Sequence, residues 1–430
     1  MSFSEGAVLM HLLRPLLAML CLGASAAAAS AATITIACGS SGNELEFCKK
    51  HADAWARRTG NEVRTFSPPN NPTEALALYR QLLGAKSTDI DIILIDAVWP
   101  GVLKDHLLDL KPLAHGVERE HFPAIIQNNT VGGRLVGMPW YVDAGLLYYR
   151  KDLLAKHGLK VPTTWDEFTA SARQVQAAER AAGTRDFHGF VFQAKAYEGL
   201  TCNAVEWIAS FGGGTIVEPD GSISINNPGA SRALAMAASW VGTIAPIGVL
   251  NYGEEDSRGV FQNGKALYMR NWPYAWALLN QTDSPVTGKV GVAALPMGNG
   301  DGAKSAATLG GWQLAVNRYS RHPEAAADLV LHMTSAQVQK DRAIKGSFNP
   351  TRPGLYRDPD IAAANPFMAN LSEVFVNAVA RPSTVTALKY PAVSQSFWDA
   401  THDVLSKETQ ADDATRRLEG KLRQIKRGQW

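Results

Sequence analysis

Short apolar runs and segments of helical period alternate along the first hundred residues. An apolar, β-branched run at 33–37 precedes a helical segment that is closed by Gly60. A run around 63–66, a helical segment at 72–83 and a continuous apolar run at 90–95 complete the series. This order predicts βαβ units, and the continuous run predicts a parallel strand that is buried on both faces.

Acidic residues follow two of these predicted strands. Glu44 comes after the first strand, and Asp96 comes directly after the third. Ligands of open α/β sheets bind beyond the carboxyl ends of the strands, so both carboxylates are candidate ligand contacts. Glu44 also lies near a helix start, where an acidic residue stabilises the helix dipole, and the sequence leaves both interpretations open.

Three segments have the composition of crossings between two lobes. The first, 137–145, combines a rigid proline, permissive glycines and extended residues between two apolar segments, and it contains Asp143. The segments 295–296 and 348–351 are the second and third predicted crossings. We therefore expect Asp143 to lie at a junction between lobes.

Three aromatic rings lie within five residues, at Trp272, Tyr274 and Trp276. The apolar run 266–269 predicts a buried strand, and the turn at 271–273 exposes side chains at its end. Flat rings beside such a turn suit a flat, partly apolar ligand such as a sugar. The alternative is that all three rings fill the core.

Two further features suit the same ligand. Trp312 follows Gly310 and Gly311, which let the backbone approach a ligand closely before a predicted strand at 313–316; a tryptophan there is otherwise ordinary core. Arg381 stands isolated before a turn. Carboxylates accept hydroxyl hydrogen bonds, arginine donates in a fork, and aromatic faces cover the C–H faces of a pyranose. Together these residue types indicate a neutral saccharide.

The amino terminus has the pattern of a cleavable signal peptide that covers residues 1–32. A sparse positive start and an apolar core at 10–22 precede a run of small residues with an A-x-A site. Cys21 leaves a lipoprotein anchor open, but the bulky Leu20 before it favours cleavage near Ala32. The apolar core is too short to span a bilayer, so we expect a soluble, periplasmic protein.

Composition narrows the classes of function. The 430 residues, 46% of them hydrophobic, suffice for two lobes with real cores. A formal net charge of +2 provides no basic field for nucleic acid or an anionic membrane. In an exported chain we expect a disulfide between Cys38 and Cys48, with Cys202 as a buried small hydrophobe. No metal-ligand spacing occurs, and we expect neither metal nor cofactor.

Eight short segments carry a family resemblance. They are GNELE (42–46), IDAVWPG (95–101), PWYVDAG (139–145), YEGLTC (197–202), FQNG (261–264), MRNWPY (269–274), LGGW (309–312) and RPST (381–384). With these segments, almost the whole mature chain resembles the periplasmic solute-binding proteins of sugar ABC importers, most closely the trehalose/maltose-binding branch. The resemblance implies a two-lobed α/β fold, in which each lobe is a central mixed sheet flanked by helices and three hinge crossings join the lobes.

The resemblance also implies boundaries, a mechanism and a ligand site. The N-terminal lobe would be 33–142 plus 295–348, and the C-terminal lobe 143–294 plus 349–430. A monomer without enzymatic activity would close on a disaccharide and deliver it to the permease subunits in the membrane. The implied ligand-binding residues are Asn43, Glu44, Asp96, Tyr141, Asp143, Trp272, Gly311, Trp312 and Arg381. The family's basic residue near the start of the second helix is absent from 68–72, which leaves the exact disaccharide open.

Two alternatives remain at the level of the sequence. A secreted glycosidase could use Glu44 and Asp96 as its acid and base. A binding protein of the same kind could instead take a polyol or another oligosaccharide. The chain has no Gly-x-Ser-x-Gly, His-Glu-x-x-His or phosphate-loop motif, so other enzyme classes have no support.

Overall fold

Strands form two mixed sheets and one hairpin in the computed structural model, which describes residues 31–368, 374 and 377–430. The predicted signal peptide therefore lies almost entirely outside the described residues. The strands are β1 Thr33–Ala37, β2 Glu62–Phe66, β3 Ile92–Asp96, β4 Thr130–Val131, β5 Arg134–Leu135, β6 Met138–Ala144, β7 Leu146–Arg150, β8 His188–Val191, β9 Ala266–Asn271, β10 Val290–Ala293 and β11 Leu309–Val316.

Helices connect and flank these strands. The α-helices are α1 Glu44–Thr59, α2 Pro72–Gly84, α3 Pro100–Leu103, α4 Pro123–Asn128, α5 Lys151–Lys156, α6 Trp165–Ala181, α7 Glu198–Ser210, α8 Pro228–Trp240, α9 Glu254–Gln262, α10 Ala275–Leu279, α11 Pro323–Met333, α12 Ala336–Gly346, α13 Pro359–Ala364, α14 Ser383–Thr386, α15 Tyr390–Leu405 and α16 Ala411–Lys426. Short 3₁₀ turns span Lys104–His106, Val117–Glu120, Ile247–Asn251, Pro353–Arg357 and Ala387–Lys389.

The first sheet has the strand order β2-β1-β3-β11-β6. Strand β1 is parallel to β2 and β3, whereas β11 is antiparallel to β3 and β6. All five residues of β3 are buried, as expected for a strand covered on both faces. The predicted βαβ units and the mixed sheet are thus confirmed.

Local sequence explains how the first two helices begin and end. Helix α1 ends at Gly60, which adopts the left-handed conformation with φ 74°. Helix α2 begins after Asn71, whose side chain accepts hydrogen bonds from the backbone N–H groups of Thr73 and Glu74. A disulfide joins Cys38, just after β1, to Cys48 in α1, with 5.8 Å between the Cα atoms. Cys202 is buried and carries a free thiol.

The second sheet has the order β10-β7-β9-β8 and is linked closely to the first. Strand β7 is antiparallel to β10 and β9, and β8 is parallel to β9. Gly145 alone separates β6 of the first sheet from β7 of the second. Residues 294–308 return from β10 to β11, and after α12 the chain passes β6 again, where Asn349 accepts a hydrogen bond from the backbone N–H of Val142.

Each sheet carries its own hydrophobic cluster. Tyr274 and Leu278, which follow β9 of the second sheet, pack into the cluster of the first sheet. The two halves are therefore in contact, and Ala32–Trp430 forms one compact unit. The residue ranges of the two lobes stay a prediction. Among the described residues, no helix is long and apolar enough to cross a membrane.

Candidate functional site

One cavity between the two sheets is lined by seven of the nine predicted ligand-binding residues. It contains about 590 Å³ of empty space, part of which is open to solvent. The seven are Asp96, Tyr141, Asp143, Trp272, Gly311, Trp312 and Arg381. Further lining residues, outside the nine predicted ligand contacts, are Ser41, Asn70, Pro72, Glu198, Gly199, Cys202, Glu254, Tyr274 and Gly310.

Strand register brings the first-sheet residues together. Trp312 on β11 lies opposite Asp96 on β3 and opposite Tyr141 on β6. Asp143 lies opposite Gly310. Because directly opposed residues of antiparallel strands have neighbouring Cβ atoms, three neighbouring strands suffice to bring two carboxylates and two aromatic rings to one end of the sheet.

The second sheet contributes Trp272, which follows β9 at the predicted turn. Tyr148 donates a hydrogen bond from its hydroxyl to the Trp272 carbonyl at 2.8 Å and so fixes this turn. A Cβ atom on Gly310 would lie only 3.1 Å from the Trp272 ring, so the glycine makes room for the indole. Trp312 meets Trp99 edge-on, with ring centroids 5.5 Å apart. Trp272 and Trp312 are both partly buried, and both line the cavity.

A buried ion pair crosses the cavity. The Arg381 guanidinium donates to Asp96 Oδ1 at 2.7 Å and to Glu198 Oε1 at 2.8 Å. Glu198 also accepts hydrogen bonds from the hydroxyls of Tyr390 and Ser394. Burial opposes the charge of Arg381, but the nearby carboxylates outweigh it and raise the pKa of the guanidinium. Arg381 thus stays charged and links strand β3 of the first sheet to helix α7.

Asp143 has a different environment, although it too is buried. No described residue donates a hydrogen bond to its carboxyl group, which lines the cavity. Burial, reinforced by the negative charge of Glu44, raises the pKa of Asp143 to about 7. A carboxyl group in this state accepts hydrogen bonds when ionised and also donates one when protonated. With no partner among the described residues, this carboxyl group is available to a ligand.

Glu44 and Asn43 do not line the cavity. The Glu44 carboxylate accepts hydrogen bonds from Trp140 Nε1 at 3.2 Å and from the Tyr141 hydroxyl at 3.1 Å. Burial raises the pKa of this carboxyl. Asn43 immediately precedes α1, and its side chain makes no capping hydrogen bond. Glu44 thus holds the hydroxyl of Tyr141, which itself lines the cavity, and Asn43 lies at the start of α1.

Two acidic residues of the cavity were missed by sequence reasoning. Glu198 begins α7 inside the YEGLTC segment, which carried the resemblance without a role for any of its members. Glu254 begins α9 and accepts hydrogen bonds from the Tyr197 hydroxyl at 2.6 Å and from Trp272 Nε1 at 3.3 Å. An acidic residue in a first helical turn is ordinary, so the sequence offered no signal for Glu254.

The chemistry of the site is that of recognition. Carboxylates, one guanidinium and two indole faces surround the cavity, as in sites that bind polyhydroxylated molecules. The described residues contain no group of three or more histidine, cysteine, aspartate or glutamate side chains that could hold a metal ion. A two-lobed α/β protein with such a cavity between its sheets has the architecture of a periplasmic binding protein.

Comparisons with known proteins agree with this class. The chain belongs to the family of bacterial extracellular solute-binding proteins, whose model matches residues 40–340. A probable ABC transporter-binding protein of Deinococcus radiodurans is 53% identical over 409 residues, which cover 95% of this chain and 97% of the relative. Maltose-bound MalE3 of T. maritima has a TM-score of 0.87 and 40% identity, over 92% of this chain and 100% of MalE3.

A more distant structure shows likeness of fold alone. It is an ABC transporter solute-binding protein of Agrobacterium radiobacter K84 in complex with ribitol, with a TM-score of 0.80 and 22% identity, over 92% of this chain and 98% of that one. The predicted two-lobed fold is thus confirmed. Because the family and these relatives are solute-binding proteins, the prediction of a non-enzyme is confirmed and the glycosidase alternative is set aside.

Family membership also defines the cellular role. The chain is a substrate-binding component of a sugar ABC transporter, with a sugar ligand and a membrane permease as its partners. Such proteins work in the periplasm or outside the cell, which agrees with the predicted location.

Proposed function

We propose that this protein captures a disaccharide of the trehalose or maltose type between its two lobes and delivers it to the permease. The proposal is supported most directly by the unpartnered Asp143 carboxyl group, which lies among two indole rings and the Asp96–Arg381 pair in one cavity. Hydroxyl groups of a sugar supply the hydrogen-bond donors that Asp143 lacks. The indole rings can pack against the C–H faces of the sugar.

Similarity to MalE3 supports the choice of sugar. This chain is 40% identical to MalE3 over the full length of MalE3, and that structure contains maltose, which favours the same ligand class. The ribitol-bound relative has 22% identity and therefore contributes only its fold. A polyol or a longer oligosaccharide is accordingly an outcome of the binding test and not a second proposal.

The mechanism is hinge closure. The lobes 33–142 plus 295–348 and 143–294 plus 349–430 would rotate about the three crossings, and a sugar that contacts both lobes would favour the closed form that the permease recognises. Arg381 already joins Asp96 of the first sheet to Glu198 of α7 across this gap. We expect the secreted chain to act as a monomer, after removal of the predicted signal peptide and without nucleic acid.

A binding assay tests the proposal. We expect trehalose or maltose to raise the melting temperature and to bind in calorimetry, because a ligand of the folded state stabilises it. Trp272→Ala should weaken that binding at least about 100-fold, because a few buried residues, tryptophan prominent among them, usually contribute most of the binding free energy. Trp276→Ala is the matched control, because this ring packs on Phe367 and does not line the cavity.

The outcomes separate cleanly. Binding of mannitol or ribitol with no response to either disaccharide would replace the proposed ligand class by polyols. If the Trp272→Ala and Trp276→Ala variants bind the sugar with equal affinity, Trp272 does not contact the ligand. Size-exclusion chromatography of the mature chain, with and without sugar, tests the expected monomer.

A further inference from the structure

A buried ion pair lies directly behind the cavity. Arg270 on β9 donates from Nε to Glu206 Oε2 at 2.9 Å and from one terminal nitrogen to Glu206 Oε1 at 2.5 Å. The other terminal nitrogen lies 3.3 Å from Gln193 Oε1. Both charged side chains are almost completely shielded from solvent, with exposed fractions of 1% and 0%. The guanidinium is therefore held in one orientation by a fork of hydrogen bonds.

This guanidinium covers one face of Trp272. The Arg270 Cζ atom lies 3.8 Å from the centre of the indole, within the range of a cation–π contact. Glu254 holds the indole N–H, and Gly310 faces the far edge of the ring. An indole has two faces, and with one taken by Arg270 only the opposite face is left for a ligand.

The partner of Arg270 also meets two of the three crossings. Glu206 Oε1 accepts a hydrogen bond from the backbone N–H of Thr308, which ends the segment that returns to β11, at 3.1 Å. A Cβ atom on Gly145, which separates β6 from β7, would lie 2.0 Å from the same oxygen. One carboxylate thus contacts two of the three crossings and the arginine behind the indole.

We propose that Arg270 is the positioning residue of the Trp272 ring, and that Glu206 anchors it to the two crossings. The inference rests on the proposed function, because Trp272 is taken as a platform for the sugar. Arg270 acts through the ring and does not touch the ligand.

Two lysine substitutions test the role of Arg270. Arg270→Lys keeps the charge but removes the fork and the flat contact with the indole. We expect it to weaken binding of the sugar about tenfold. Arg150→Lys is the matched control: Arg150 lies on the adjacent strand β7, is also buried, and makes a two-pronged pair with Asp152 away from the cavity. The affinity of the Arg150→Lys variant for the sugar should stay within about twofold of that of the wild type.

The second readout needs no sugar. With ¹⁵N-labelled tryptophan, the indole N–H signal of Trp272 is assigned by its loss in Trp272→Phe. Arg270→Lys should shift or broaden this signal, whereas Arg150→Lys should leave it in place. An unchanged Trp272 signal in Arg270→Lys overturns the inference. If no sugar binds the wild type, the proposed function fails, while this signal still decides the role of Arg270.

A milder variant covers the case in which Arg270→Lys does not fold. Gln193→Met removes the 3.3 Å contact to the Arg270 guanidinium, together with the hydrogen bonds that Gln193 donates to the Arg270 carbonyl and accepts from Asn203, and it leaves the Glu206 fork in place. We expect a smaller change of the Trp272 signal in the same direction, with binding about two- to threefold weaker. A wild-type signal and wild-type affinity in Gln193→Met would then count against the inference.

Discussion

Among single residues, Asp143 is the one whose protonation the cavity controls most clearly. Burial and the charge of Glu44 raise its pKa to about 7. Between about pH 4 and pH 7 the folded protein therefore keeps a proton that the unfolded chain releases. This difference makes the folded state less stable as the pH rises through that window, by an amount on the order of 4 kcal/mol.

Asp143→Asn should remove this contribution, because the amide does not titrate. We expect the free energy of unfolding of the variant, relative to the wild type, to increase by a few kcal/mol from pH 4 to pH 8. Urea unfolding at both pH values measures it, and the subtraction of wild type from variant cancels the other titrating groups. Parallel curves would show that Asp143 titrates at an ordinary pKa. Sugar binding should weaken in the variant at pH 8, where the wild type presents a carboxylate.

Several residues of the cavity could be predicted from the sequence because position and chemistry agreed. Asp96 ends an apolar run, and Asp143 lies in a segment with Pro and Gly, so each had a reason to lie at a strand end or junction. Glu198 and Arg270 are acidic and basic residues within otherwise apolar segments, yet nothing local indicates their partners. Arg381 and Asp96 are 285 positions apart, and only the folded chain brings them together.

At the scale of elements, the close approach of β11 and β6 depends on Gly311. Its φ of 130° is strained for other residues, and a Cβ atom would lie 2.5 Å from the Tyr141 carbonyl oxygen. The sequence predicted a strand at 313–316 that the glycine pair merely precedes. The strand instead runs Leu309–Val316, because glycines 310 and 311 themselves pair with β6. Sequence propensity disfavours glycine in strands, which explains the late predicted start.

Gly311→Ala should therefore destabilise the protein by about 3 kcal/mol or more, from backbone strain together with the clash. Gly133→Ala is the control, since Gly133 has φ 78° but nothing within 4 Å of the added Cβ. That variant should lose only about 1 kcal/mol, the cost of the left-handed conformation alone. Urea unfolding compares the two. Equal losses would mean that the strands separate at Gly311 without cost.

For the whole molecule, the two halves are joined by defined apolar and charged contacts. Tyr274 and Leu278 cross from the second half into the first cluster, and Arg381 holds Asp96. Alternation of strands and helices predicts two lobes with real cores, and the family resemblance predicts that they close. Neither indicates which charged groups meet, because such pairings depend on three-dimensional placement and not on local pattern.

Arg381→Met should favour an open form of the molecule. The substitution keeps an apolar stem but leaves the carboxylates of Asp96 and Glu198 without their shared cation. A buried unpaired charge is costly, and separation of the lobes relieves it by admitting water. Without sugar, small-angle scattering should give the variant a larger radius of gyration than the wild type, and sugar binding should be at least about tenfold weaker. Arg150→Met, which breaks a pair outside the cavity, should keep the wild-type radius. If Arg381→Met has the same radius as the wild type and only a lower melting temperature, the ion pair stabilises the fold without biasing closure.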